Sequence, residues 1–345
     1  MFSKKKAAAG VTAAALALTF LVTGCGADPK AAIIKVDTGD TIEYGYANFV
    51  TNYYQAQYDI NYKPYYGEEM WSTDVQQNGT TLAENVRAQV IDQIEEQWAI
   101  RQHASDYSVT LTDSDNAKIE EYSQKFMDAN TENGLAKLGA TKQYATEFLT
   151  NMAYAIKVQS EIYKEAKTDF TAAETEQSTI SYVRFSTEGT TGADGTETPM
   201  SDEDKAAAKK KAEDLAAAGA ANYETKASEL SGDVRSFSYT KADSAYEGMI
   251  LPENVIKESK NLKEGEISKV IEGSDGYYVI RMDKVLDDEA TENKKNTLIS
   301  SAKSTHYNEV VEGWKAGYTF TVDEKLKEKL DLEDVAFTQK AAKSE

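Results

Sequence analysis

Cysteine occurs once in 345 residues and histidine twice. A single cysteine excludes an intramolecular disulfide and a thiolate metal cluster. Neither His103 nor His306 has a second ligand four residues on, so no metal site is expected; both read as solvent-side residues. The chain shows no phosphate loop, no Ser-His-Asp arrangement and no paired-carboxylate signature, so no cofactor is implied. Basic residues are also in deficit, with 38 Lys and Arg against 58 Asp and Glu and a formal charge of −20. Such a surface repels nucleic acid and anionic headgroups. The acidity serves solubility or attraction to basic partners, and the sequence does not separate the two.

What is present begins with an address. Lys4, Lys5 and Lys6 precede Ala7 to Val22, a stretch without charge. This is the form of a secretory signal, too short and wrongly flanked for a membrane span. It ends in Leu21-Val22-Thr23-Gly24-Cys25. That segment resembles the lipobox of bacterial lipoproteins. The resemblance implies cleavage before Cys25 and a diacylglycerol on its sulfur, placing the protein on the extracytoplasmic face of the cell membrane. Cleavage after residue 24 leaves 321 of the 345 residues and, by removing three lysines and no acid, takes the charge from −20 to −23.

Past a spacer over 25–30, Ile33 to Val36 and Thr41 to Tyr44 read as short strands around Asp37-Thr38-Gly39-Asp40. A helix is expected from Ala47 to about Tyr58. Thr81-Leu82-Ala83-Glu84 has the form of a capping box, and Val86, Val90, Ile94 and Trp98 follow at helical spacing. Thr112-Asp113-Ser114-Asp115 opens another helix. Two more are expected, over Thr141 to Phe148 and Leu149 to Lys167, the second with Leu149, Met152, Ile156 and Tyr163 on one face. The period then changes. Thr179 to Phe185 is strand-like and Gly189 to Thr198 is a polar loop. Helices follow Ser201 and Tyr223, Val234 to Tyr239 alternates, and Leu251 to Lys260 forms a short helix. Ile267 to Ile271 and Tyr277 to Met282 read as a hairpin. The order βααβαββ is a compact α+β unit. A long helix runs from Asp288 to about Gly317 with Leu298, Ala302 and Trp314 inward. The tail, 333–345, is expected to be disordered.

Lipobox, helical region, α+β insert and long C-terminal helix together resemble the PrsA-type foldase lipoproteins and, more distantly, the SurA-type chaperones. The insert resembles a parvulin-type (PpiC-type) peptidyl-prolyl isomerase domain. Leu262-Lys263-Glu264-Gly265-Glu266-Ile267-Ser268 fits the family's Leu-x-x-Gly-Glu-Ile-Ser, and Gly276-Tyr277-Tyr278-Val279-Ile280-Arg281 fits its Gly-Tyr-His-Ile-Ile-Lys. The resemblance implies an α+β fold. A discontinuous helical chaperone domain, 31–174 plus 288–332, would carry an inserted parvulin-like domain, 178–286. It also implies unfolded or nascent secreted polypeptides as partners.

The family's catalytic cleft is where this sequence departs. Its two histidine positions read Tyr182 and Tyr278, and Met249 fits its pocket methionine. The usual phenylalanine partner is absent, and that stretch offers Val255, Ile256 and Lys260. The glycine-rich stretch is reduced to Ser231-Gly232-Asp233-Val234. Tyr182, Met249 and Tyr278 are therefore the candidate cleft residues. The tyrosines are read either as weak hydrogen-bond donors or as packing residues, with packing favoured. Isomerisation faces a barrier of roughly 18–20 kcal/mol and needs an apolar seat and pre-organised donors, so the domain is expected to be weak or inactive. Tyrosine, with 21 copies, concentrates between residues 53 and 66. Tyr53, Tyr54, Tyr58 and Trp71 are the candidate client contacts, the alternative being that most of this stretch is core.

Overall fold

The computed structural model describes residues 27–75, 77, 79–191, 197–242, 251–332 and 336–338. In chain order its elements are β1 (Ala32–Val36), β2 (Thr41–Glu43), α1 (Tyr44–Asn61), α2 (Lys63–Tyr66), α3 (Leu82–His103), α4 (Asp113–Ala129), α5 (Glu132–Leu138) and α6 (Lys142–Glu165). There follow α7 (Ala172–Thr175), β3 (Gln177–Ser186), β4 (Thr190–Thr191), β5 (Glu197–Thr198), α8 (Asp202–Ala216), α9 (Tyr223–Glu229), β6 (Arg235–Thr240) and α10 (Glu253–Ser259). The chain continues through β7 (Ile271–Glu272), β8 (Gly276–Lys284), α11 (Asp288–Lys315), β9 (Phe320–Val322) and α12 (Glu324–Lys327). The fold is α+β. Two units divide the chain, Met1–Gln159 with Val311–Glu345, and Ser160–Val310. No described helix is long and apolar enough to cross a membrane.

In the first unit, distant parts of the chain complete one another. Strand order is β2-β1-β9, so a strand near residue 321 closes a sheet begun near residue 34. Tyr44 Oη donates to the Lys329 carbonyl at 2.9 Å, and Arg87 Nε to that of Leu330 at 2.8 Å. Ile33, Ile34, Phe49, Val86, Val90, Ile94, Leu330 and Leu332 are core. Helix α3 starts at the capping box expected from sequence: Thr81 accepts from the Glu84 amide, and Glu84 from the Thr81 amide. Thr112 and Asp115 start α4 in the same way. Four orphan amides open every helix, and a hydroxyl with a carboxylate satisfies two of them locally, so these starts need no tertiary help.

Helix α6 differs from expectation. It is one helix with no break at residue 148, and its buried positions include Tyr144, Ala145, Phe148, Asn151, Val158 and Ile162. Met152 and Ile156 are exposed, at 39% and 63%. The helix is apolar on two adjoining stripes, and periodicity alone does not say which one turns inward. On α11, Leu298, Ala302 and Trp314 are half-buried, and the buried position is Val311. Residues 190 and 191 pair with 198 and 197 in a small ladder within what reads from sequence as a loop.

The second unit holds the βααβαββ order, with all sheet pairings antiparallel and strand order β6-β3-β8-β7. Alternation along β3 and β8 creates two cores. Ile180, Tyr182, Tyr278, Ile280 and Met282 face Tyr239, Leu251, Val255 and Ile256 on one side. Val183, Phe185 and Val279 face Ala212, Leu215, Tyr223 and Ala227 on the other. Tyr223 is fully buried, and its hydroxyl donates to the Val279 carbonyl at 2.7 Å. The tail beyond 338 and residues 333–335 lie outside the described residues.

Candidate functional site

The candidate cleft opens over the α10 side of the second unit's sheet. Register explains its composition. Tyr182 on β3 is paired with Ile280 on β8 and Arg235 on β6, and Arg184 is paired with Tyr278. Directly opposed residues share a face, and so do residues two apart on one strand. Tyr182, Arg184, Tyr278 and Arg235 therefore converge. They line a cleft of about 270 Å³ with Ser186, Asp233, Leu251 and Asp275.

The two expected tyrosines are together, with ring centroids 6.3 Å apart at 34°. Both are buried, Tyr278 at 1% and Tyr182 at 7% exposure. Met249 lies outside the described residues. Val255 and Ile256 are fully buried in the core rather than lining the cleft, and Lys260 is exposed. Among the described residues, the one aliphatic side chain in the lining is Leu251.

Tyr278 donates to Asp275, with Oδ1 at 2.8 Å and Oδ2 at 3.0 Å. Arg184 reaches the same carboxylate and also Glu188, at 3.0 Å. Burial pushes the Tyr278 phenol above its ordinary value, and the Asp275 charge pushes it further. Burial alone would raise Asp275, but hydrogen bonds from Arg184 and Tyr278 outweigh that and hold it below the usual carboxylate range. Across the cleft Arg235 donates to Asp233 at 2.7 Å and interacts with the Tyr182 hydroxyl. Each tyrosine thus belongs to an Asp-Arg-Tyr group. The hairpin between β7 and β8 positions one of them. A Cβ on Gly276 would lie 2.6 Å from the Phe185 carbonyl oxygen, and one on Gly273 would lie 2.7 Å from the Tyr278 ring.

Chemically, the described lining of the cleft is polar and largely paired within itself. Tyr278 has one hydroxyl proton, and Asp275 takes it. Tyr182 lies against Arg235, the residue opposite it on β6. Sequence reasoning passed over Arg184, Asp275, Asp233 and Arg235. The alternation that places Tyr182 on one face also places Arg184 there; Asp275 lies three residues from Tyr278 in the turn but 91 from Arg184, so its arginine partner has no local signal.

The aromatic stretch divides by depth. Tyr53 and Tyr54 are half-buried against the first unit's core, Tyr53 with its ring 5.1 Å from Phe148. Trp71 is buried at 3% exposure, and its Nε1 donates to Asp59 at 2.9 Å, so it is core rather than surface. Tyr58 packs between Trp71 at 5.4 Å and Tyr62 at 5.3 Å, its ring tilted against both. The residues facing solvent are Tyr62, Tyr65 and Tyr66, at 50%, 84% and 64%.

The histidines are not the solvent-side residues expected. His103 stacks on Trp314, 4.7 Å away at 6°, with Asp106 at 2.7 Å and the Tyr318 hydroxyl at 3.1 Å. His306 is half-buried, with Nε2 3.6 Å from Glu165. Among the described residues no group of three His, Cys, Asp or Glu could hold a metal ion. Cys25 lies outside them.

Residues 157–293 match the model of the PPIC-type PPIASE domain. No curated protein matches the chain by sequence. Among solved structures it is similar to the PrsA foldase of Lactococcus lactis, at 16% identity over 87% of this chain and 97% of that one, with a TM-score of 0.37. PrsA of Streptococcus pneumoniae is 17% identical over 71% and 92%, at 0.29. A SurA-like chaperone of Campylobacter jejuni is 13% identical over 85% and 99%, at 0.27. Residues 157–293 are thus similar to the PPIC-type peptidyl-prolyl isomerase domain, over less than half of the chain.

Proposed function

We propose that the protein is an extracytoplasmic foldase of the holding type, anchored to the membrane through a lipid on Cys25. Its parvulin-like domain binds extended client chain and turns prolyl bonds over weakly or not at all. The domain match supports handling of polypeptide. The helical unit, built from about 31–174 and 288–332, carries the chaperone role, and unfolded or nascent secreted chains are the clients.

One observation carries the low isomerase activity: Tyr278 spends its only donor on Asp275. Catalysis requires donors that hold the twisted amide better than the planar one, aimed before the reaction begins. The proline ring also needs an apolar seat, and Val255 and Ile256 are sealed in the core. Holding needs neither. It needs apolar and aromatic surface with polar tips, which Tyr62, Tyr65 and Tyr66 offer.

A second reading, residual isomerase activity, draws on the Tyr182 hydroxyl in the cleft lining, which donates to no other described residue. A protease-coupled assay on a proline peptide separates the two. Rates near the uncatalysed one are expected. Turnover well above it, lost in Tyr182→Phe, would establish the second reading. Failure of the purified mature protein to suppress aggregation of an unfolded client would remove the holding function.

A further inference from the structure

The folded chain begins almost at Cys25. Ala27 already packs against the first unit's core. The Asp28 carbonyl accepts from the Ala31 amide at 3.0 Å, and the Pro29 carbonyl from the Gly45 amide at 2.9 Å. Asp28 Oδ1 also accepts from the Lys30 amide at 2.9 Å, and Lys30 Nζ pairs with Glu43. Glu43 in turn accepts from the Tyr144 hydroxyl at 3.1 Å. From residue 27 onward the backbone is held in place.

Two residues of extended chain span about 7 Å. A bilayer about 30 Å thick in its hydrocarbon and 40–45 Å overall leaves an interfacial layer of roughly 5–7 Å on each side. A diacylglycerol keeps its glycerol at the inner edge of that layer. The chain between Cys25 and Ala27 is therefore used up in crossing the headgroups. No length remains to hold the folded unit away from them.

We propose that the corner formed by Asp28, Pro29, Lys30, Glu43 and Gly45 is seated on the lipid headgroups, held there by the shortness of the tether. This rests on the lipid anchor of the preceding section. The acidic body does not adsorb by its own charge, since that charge is repelled by anionic headgroups. Seating is imposed by chain length, and lengthening the tether abolishes it.

The test uses the full-length lipidated protein in phosphatidylcholine vesicles. Cys25 is the only natural cysteine and is blocked once it forms a thioether, so Lys30→Cys offers one free thiol for a fluorophore. Its side chain is 63% exposed, and an exposed ion pair contributes little, so the variant folds. Nitroxide-headgroup lipid should quench this label strongly. Inserting about 20 Gly/Ser residues between Gly26 and Ala27, a flexible coil of about 25 Å, should lower the quenching several-fold while vesicle binding is kept. Equal quenching with and without the insert, whether weak or strong, overturns the seating. The mass of the N-terminal peptide tells that failure from a failed anchor: an unlipidated Cys25 removes both readings, and a lipidated one with equal quenching removes only the seating.

Discussion

The Tyr278 hydroxyl donates a hydrogen bond to Asp275, three residues earlier in the β7–β8 turn, at 2.8 Å. The bond closes a group with Arg184, and it converts a position suited to touching substrate into one that braces the cleft wall.

Removing the acceptor should show this. Asp275→Ala leaves Tyr278 and Arg184 without their partner and should destabilise the second unit by about 1–2 kcal/mol, given the cleft's partial exposure. Thermal unfolding followed by near-ultraviolet circular dichroism measures it. In the same variant the Tyr278 phenol should titrate closer to its ordinary value but stay above it, because burial, the larger cause, remains. Tyrosinate absorbance against pH checks the direction.

Asp287 sets an acid limit on the second unit. It accepts from Thr179 Oγ1 at 2.7 Å, from Lys284 at 3.1 Å and from the Glu289 and Ala290 amides at 3.2 Å. The Thr179 hydroxyl is the largest cause of a carboxyl pKa lowered to about 2. A carboxylate lowered on folding stabilises above its unfolded value, near 3.9, and loses that contribution as pH falls through its folded value. Stability should therefore decline between about pH 4 and pH 2, and Asp287→Asn should flatten that decline. Urea midpoints across this range, read by circular dichroism, test it.

The capping box at Thr81 should be worth about 1 kcal/mol to the first unit, so Thr81→Ala should lower its urea midpoint accordingly. Trp98, on the helix this box starts, reports the transition by fluorescence.

Depth should separate the aromatic residues by phenotype. Tyr65→Ala with Tyr66→Ala should leave stability within about 0.5 kcal/mol, as exposed substitutions do, while weakening aggregation suppression. Trp71→Ala should cost about 3–5 kcal/mol through the cavity it leaves, and any loss of holding should follow unfolding. Light scattering of an aggregating client, beside a melt of each variant, distinguishes the two.

Local chemistry explains what was legible in advance. Thr81 with Glu84 and Thr112 with Asp115 satisfy amides within one turn, so their helices are visible in four residues. The βααβαββ order also showed, because a switch of period from 3.6 to 2 needs no knowledge of neighbours. Helix α6 marks the limit: Met152 and Ile156 match a helical stripe as well as Phe148 and Ile162 do, and the burial of the latter depends on what packs there.

By itself, then, the sequence determined the helix starts and the order of elements along the chain, both products of neighbours in the chain. It also placed tyrosines at 182 and 278. Only the tertiary structure decided what those tyrosines do. Antiparallel register set Tyr182 beside Arg235 and Tyr278 opposite Arg184, and the turn brought up Asp275. A phenol's role depends on which groups surround its hydroxyl: the turn supplies Asp275, and the arginines come from strands far away in the chain, set opposite by a register that local sequence does not reveal.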